Sequence, residues 1–177
     1  LHASPPQKWN TKPFPPGAEN RFNELRAGSG VEKVFFHAIY LINLAATDPQ
    51  HFHLAKLSLV NALDLMGRIG GDGVIFHVGS NKHQSEEEAG FKQAATGINW
   101  ILEHSQNEAR LILEVAAGAG AVIGDRLEEL AYIYEHVSDK DRVGFGLDSQ
   151  HLWASGYNVR DELEEFVSEA KRIFGLE

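Results

Sequence analysis

The chain has 177 residues, 43% of them hydrophobic and 23% charged, the make-up of an ordinary globular protein with one domain and one well-buried core. A net charge of −9 and a pI near 5.4 exclude broad attraction to nucleic acid or anionic lipid through the protein's own charges, because that attraction depends on Lys and Arg meeting phosphates. With no cysteine and nine histidines, disulfides and thiolate metal sites are excluded, and any transition-metal site is built from imidazole and carboxylate.

The opening stretch SPPQKWNTKPFPPG holds five of the six prolines, which predicts an extended surface loop over residues 1–19. Because the chain starts at Leu1 rather than Met and has a proline-rich opening, it is expected to be a segment of a longer product or a diverged chain. No apolar run reaches the ~20 residues of a bilayer span and no signal-peptide pattern is present, so a cytoplasmic protein without membrane partners is expected. A short helix is predicted around Asn20 to Leu25.

Four apolar, β-favouring stretches then recur: VFFH (Val34 to His37), VIFH (Val74 to His77), LILE (Leu111 to Glu114) and VGFGLD (Val143 to Asp148). They suit strands buried on both faces of a parallel sheet. Helices are expected between them. His51 to Ile69 carries Phe52, Ala55, Leu59, Leu63 and Met66 at helical spacing, and Ser85 with Glu88 forms a capping box before Phe91 to Leu102. Asp125 with Glu128 repeats that start signal before Leu127 to Val137, and Asp161 opens a last helix with Leu163, Phe166 and Ala170 on one face. The alternation predicts an α/β fold with a parallel sheet.

Each strand ends on a residue able to bind metal: His37, His77, Glu114 and Asp148, separated by 40, 37 and 34 positions. That spacing fits one strand, loop and crossover helix per unit. Functional groups in parallel α/β folds gather at the carboxyl ends of the strands, so all four are expected to meet.

The stretch LILEVAAGAGAVIGD admits a second reading, a strand feeding a dinucleotide-binding turn. Gly118, Gly120 and Gly124 give G-x-G-x-x-x-G rather than G-x-G-x-x-G, and the first glycine lies four residues past Glu114, too far for the tight turn. The metal reading rests on a constellation instead. Two imidazoles and two carboxylates at neighbouring strand ends, with His151 three residues past Asp148, are a nitrogen and oxygen set of the kind that holds zinc, manganese or iron. His2, His51, His53, His83, His104 and His136 fall on loops or helix faces and are expected to be solvated.

FFHAIYLINLA (Phe35 to Ala45), VIFHVGS (Val74 to Ser80), LILEVAAGAG (Leu111 to Gly120), IGDRLEELAYIYEHVSDKDRVGFGLDSQH and LWASGYNVR together resemble, in order from about Pro5 to Glu177, the endonuclease IV family of zinc-dependent abasic-site endonucleases. The resemblance implies a TIM-barrel-type fold with a three-zinc cluster at the barrel mouth and cleavage of DNA 5′ to an abasic sugar, a step of base excision repair. It implies that His37, His77 and Glu114 ligate one zinc, with Glu114 bridging to a second as the central catalytic group, that Asp148 ligates the second, and that His151 ligates the third. Manganese is an alternative ion. Tyr40 matches the aromatic of a DNA-inserting loop, and Gln7 and Lys8 fall near the place of a basic DNA-contacting residue. The implied partner is duplex DNA containing abasic sites, with bound cations supplying the positive field that the chain lacks.

Several positions depart from the family pattern. The family's E-N-T-A-G-Q-G is EVAAGAG here, so Val115, Ala116 and Ala119 replace polar groups, and D-T-C-H is DSQH, with Ser149 and Gln150. Val78 replaces Pro and Asn81 replaces His in the H-P-G-S-H segment. The chain also corresponds only to the family's strands three to six with their helices, whereas a complete barrel takes about 250 residues. The expectation is an incomplete barrel with two open sheet edges and the full side-chain ligand set of one zinc, monomeric if part of a longer chain and prone to self-association through those edges if not. A sugar isomerase or epimerase holding one divalent metal, and a degenerate non-catalytic scaffold, are the alternative functions.

Overall fold

The computed structural model describes residues 1–2, 5, 7–9 and 15–176. Among them the elements run α1 (Ala18–Ala27), β1 (Phe35–His37), α2 (Pro49–Arg68), β2 (Gly73–Phe76), β3 (Gly79–Ser80), α3 (Glu87–His104), β4 (Arg110–Glu114), β5 (Val122–Ile123), α4 (Leu127–Glu135), a 3-10 turn (Lys140–Arg142), β6 (Val143–Gly146), α5 (Ser149–Ala154) and α6 (Leu163–Phe174). Four strands form one sheet in the order β1, β2, β4, β6, every pair parallel. The helices α2, α3, α4 and α6 follow one another side by side on its outer surface. This is the α/β architecture of a TIM-barrel segment, and the described strands do not close into a barrel.

Strand residues alternate between faces. Phe36, Val74, Phe76, Leu111, Leu113 and Val143 point outward and are buried beneath the helices. They meet the apolar stripe of α2 (Ala55, Leu59, Leu63, Met66) and of α3 (Ala94, Ile98, Ile101), each fully buried. The inward row is different from the expectation of burial on both faces: Ile75, Ile112 and Gly144 are only half-buried and Phe35 is exposed, because four strands cannot wrap round to cover their own concave side.

The ends of the helices also differ from the sequence reading. α2 begins two residues early, at Pro49, because the Asp48 carboxylate accepts the His51 N–H at 2.6 Å and proline suits the first helical position. The Ser85 capping box does not form: α3 starts at Glu87 without a side-chain cap, and the Glu88 carboxylate is taken up by Lys92 at 2.7 Å and the Tyr132 hydroxyl at 2.8 Å. Asp125 does not cap α4 either. That helix start is held by the Tyr157 hydroxyl, which accepts the Leu127 N–H at 3.2 Å, and by the buried Glu129, which accepts the Gly124 N–H at 2.6 Å and pairs with Arg126. α6 opens at Leu163 without a side-chain cap, and since Leu163 is 55% exposed its apolar face is Phe166, Ala170 and Phe174. The expected loop over residues 1–19 is not wholly loop: α1 starts at Ala18, and Leu1 O accepts the His37 N–H at 2.7 Å as His2 bridges β1 in parallel.

The β3–β5 antiparallel ribbon, which no pattern announced, sits beyond the ends of β2 and β4. Asn43 ties it to the loop after β1: its side-chain oxygen accepts from Ala45 N (2.9 Å) and Ser80 N (3.1 Å) and its amide donates to Ser80 O (3.3 Å). Gly79 is required there. Its φ is +130°, and a Cβ would lie 2.7 Å from Asn43 Cα.

At the opposite end of the sheet, Asp72 fixes the start of β1. Its carboxylate accepts from Lys33 Nζ at 2.7 Å and Val34 N at 2.8 Å, and its own N–H donates to Val34 O. The Lys33 contact first, and the Val34 N–H second, hold the Asp72 carboxyl below the usual carboxylate range. A carboxylate with a depressed folded pKa contributes stability above its unfolded value of about 3.9 and loses it as pH falls through the folded value. D72N is therefore expected to be less stable than wild type at pH 7, with the gap in denaturant midpoints narrowing below about pH 3.9. A gap that stays constant down to pH 2 contradicts this.

Candidate metal centre

The alternation that buries one face of the sheet also builds the site on the other. His37 lies two residues past Phe35, His77 two past Ile75 and Glu114 two past Ile112, so each polar residue sits on the inward face directly above an apolar one. β2 ends at Phe76 and His77 follows it, whereas β6 ends at Gly146, so Asp148 leaves the sheet and becomes the N-cap of α5. Its carboxylate accepts from Gln150 N at 2.8 Å and His151 N at 3.0 Å. Those backbone N–H groups, that of His151 first, lower the Asp148 pKa.

Glu114 is the centre of the arrangement. Its side chain is 7% exposed and three imidazoles converge on it: His37 Nε2 at 2.8 Å and His77 Nε2 at 3.4 Å from Oε2, and His151 Nδ1 at 3.4 Å from Oε1. The imidazoles form a row, with ring centroids 5.3 Å apart between His37 and His77 and 5.1 Å between His77 and His151. His37, His77 and Glu114 place one donor atom each within 4.8 Å of one another, and so do Glu114, Asp148 and His151. Glu114 thus belongs to two potential ion sites, and all five residues singled out as ligands are brought together. The second trio pairs Asp148 with His151.

The donor chemistry fits a cation. His37 Nδ1 faces Ala38 O at 2.9 Å and its Nε2 faces the Glu114 carboxylate. Both partners only accept, so a neutral ring satisfies one of them, and the other needs either a second proton or a metal ion between nitrogen and carboxylate. The bond to Glu114 raises the His37 pKa accordingly, against the effect of burial. His77 goes the other way: burial, the largest effect, lowers its pKa despite the nearby Glu114, and its Nδ1 is buried without a partner. A metal binds the neutral form of an imidazole, the form that burial favours for His77.

The remaining candidates lie at the rim. Tyr40 is 61% exposed, its ring 6.0 Å from that of His37. Gln7 and Lys8 are exposed on the opening loop, where Lys8 N donates to Pro5 O at 3.1 Å and the neighbouring Trp9 packs edge-on against His51 at 5.7 Å. His51 is not solvated as expected: it is half-buried and its Nε2 donates to Leu41 O at 2.8 Å. His2 is exposed yet joins the imidazole row, its ring 5.5 Å from His37 and its Nδ1 3.1 Å from His37 O. Only its adjacency to β1, invisible without the strand pairing, could have flagged it. His104 and His136 stack on Trp100 and Tyr132 at helix C-termini. The glycine stretch does not form a phosphate turn, because β5 intervenes between β4 and the start of α4.

Residues 2–177 match a family model described as xylose isomerase-like TIM barrel. A probable endonuclease 4 of Thermoplasma acidophilum is 32% identical over 170 residues, which is 96% of this chain and 58% of that protein. A probable endonuclease 4 of Staphylococcus saprophyticus is 29% identical over 178 residues, 100% of this chain and 60% of that one. The chain thus spans about three fifths of the length of the curated relatives it matches. The crystal structure of endonuclease IV from Thermus thermophilus superposes with a TM-score of 0.79 at 27% identity, covering 98% of this chain and 61% of that one. A D-tagatose 3-epimerase-like protein shares the fold, with a TM-score of 0.71 at 18% identity over 89% of this chain and 58% of that one.

Proposed function

The chain belongs to the xylose isomerase-like TIM barrel family, and from that premise we propose that it is the metal-binding part of a phosphodiester hydrolase of endonuclease IV type, acting on duplex DNA at abasic sites. The observation that carries this reading is the buried Glu114 carboxylate with three imidazoles converging on it, supported by the endonuclease 4 relatives. His37, His77 and Glu114 would hold one zinc, with manganese as an alternative, and Asp148 and His151 would share Glu114 with a second. When bound there, such an ion would supply a more acidic water and positive charge for phosphate oxygens.

The protein's own residues do the rest. Glu114 supplies a fixed negative charge that two cation sites can share, and its burial keeps bulk water from competing for it. Ala38 O holds His37 in the tautomer that presents Nε2 to the centre. The capping bonds of Asp148 hold its carboxylate ionised and its helix in place. Tyr40 stands exposed beside the imidazole row, where it would pack against the distorted strand, and Lys8 with Gln7 would meet the backbone further out. Attraction between an acidic chain and a polyanion then comes from the bound cations.

The test is nicking of a duplex containing one abasic analogue, with stripped protein reloaded with zinc or manganese. A single cut 5′ to the lesion, absent from an intact duplex and from stripped protein, is the expected result. Loaded protein that leaves the lesion intact overturns the proposal. If it then inverts a stereocentre of a ketose, or interconverts a ketose and an aldose, with manganese, a sugar epimerase or isomerase reading replaces it.

A further inference from the structure

The loop after β4 has no polar side chain at Val115, Ala116 or Ala119, yet its backbone is held at Val115, Ala116 and Gly118. Val115 N donates to Gly146 O at 2.9 Å and Ala116 N to Gly124 O at 2.9 Å. Val115 O faces His151 Nδ1 at 3.1 Å. Two further bonds come from one hydroxyl: Ser155 Oγ donates to Ala116 O at 2.8 Å and accepts the Gly118 N–H at 2.8 Å. A single Oγ is thus a donor and an acceptor to backbone groups two residues apart. A Cβ at Gly118 would touch Ser155 Oγ at 3.4 Å, an ordinary contact, and crowd Asp125 Oδ2 at 3.2 Å.

Ser155 is also placed by the second ion site. Asp148, His151 and Ser155 are spaced by three and four positions, which puts them on one side of the turn that α5 makes. The Ser155 N–H donates to His151 O at 2.9 Å and to Leu152 O at 3.1 Å, ending the helix. One end of this short helix carries Asp148 and His151, and the other reaches back to the loop that leaves Glu114.

The geometry points to Ser155 as a positioning residue of the metal centre: by clamping Ala116 and Gly118 to α5 it fixes the loop leaving Glu114 against the helix that bears Asp148 and His151. This rests on the proposed metal centre and not on the reaction it serves. The hydroxyl touches neither ion nor substrate. It replaces, from a separate segment, polar groups that the loop itself lacks, and losing it leaves a carbonyl and an N–H to find water instead.

Zinc alone is the probe. Stripped wild type, S155A and S155T are titrated with zinc against a chromophoric chelator, and the Gly118 amide is followed by hydrogen exchange in 15N-labelled protein. S155A is expected to bind zinc up to about 10-fold more weakly, the lower end of the loss that follows removal of a group bonded directly to a metal ligand, because the Ser155 hydroxyl acts through the loop, and to exchange the Gly118 amide faster. S155T keeps the hydroxyl and is expected to restore both. S155A with wild-type zinc affinity, measured well below its unfolding midpoint, overturns the inference even if that midpoint has dropped. Wild type that binds zinc but does not cut an abasic duplex removes the nuclease reading and leaves this one intact, whereas stripped wild type that takes up no zinc overturns both.

Discussion

Glu114→Gln is expected to leave purified protein with almost no zinc after gel filtration, and to abolish cleavage of an abasic duplex in the same preparation. The substitution keeps the shape and the burial of the side chain, so packing is little disturbed. What disappears is the one charge that both ion sites share. Each trio then keeps only two of its three donors able to carry its role, and the neutral amide left beneath His37, His77 and His151 cannot offset a dication. The loss of affinity should exceed the ~10- to 100-fold that removal of an outer-shell partner costs. Wild type in zinc at about 100 times its dissociation constant gains about 2.7 kcal/mol of stability, so its melting temperature should rise on reloading while that of the variant should not. Elemental analysis gives the decisive reading: a variant that retains the wild-type zinc content refutes the bridging role of Glu114.

Phe76→Ala should produce the largest loss of stability, about 3–5 kcal/mol out of the roughly 5–15 kcal/mol typical of a natural domain. Phe76 is fully buried on the helix side of β2, an interior strand of the sheet. Its removal opens a cavity where Val74, Leu111 and Leu113, all fully buried, have limited freedom to collapse. The next residue in the chain is His77, so the site should suffer with the core. A denaturant midpoint shifted by less than the equivalent of about 1 kcal/mol would mean that the surroundings relax into the space, contrary to the range for buried Phe.

The strands and the meeting of His37, His77 and Glu114 at their ends were legible for a common reason. A short strand in a parallel sheet has a two-residue period, so an apolar residue and a metal-binding one two places later announce both the face and the end of the strand, as Ile75 with His77 and Ile112 with Glu114 do. Helix starts were less legible. Ser85, Asp125 and Asp161 have the right side chains for caps, but a cap depends on which partner is nearest in three dimensions: Glu88, the expected partner of Ser85, pairs with Lys92 and Tyr132, and the start of α4 is held by Glu129 through Gly124 and Arg126 rather than by Asp125 with Glu128. The β3–β5 ribbon, two residues on each side, is too short to carry a period. His2 and Ser155 escaped because their importance lies in what they touch far along the chain. The apolar character of Val115, Ala116 and Ala119 is plain in the sequence, but what holds their backbone is not, since the hydroxyl comes from Ser155.

The spatial order of the main sheet, β1, β2, β4, β6, is the same as the order of those strands in the chain. Each new strand therefore has its partner already synthesised when it emerges, and no strand must wait for a later one to be inserted between itself and its neighbour. His37, His77 and Glu114 become neighbours as soon as β4 docks, before Asp148 and His151 have been added. An ion captured by the first trio would then stabilise a growing intermediate, and the second trio would form upon an anchor already in place. If the proposed metal centre is right, metal availability would then act on assembly of the sheet as well as on the finished site.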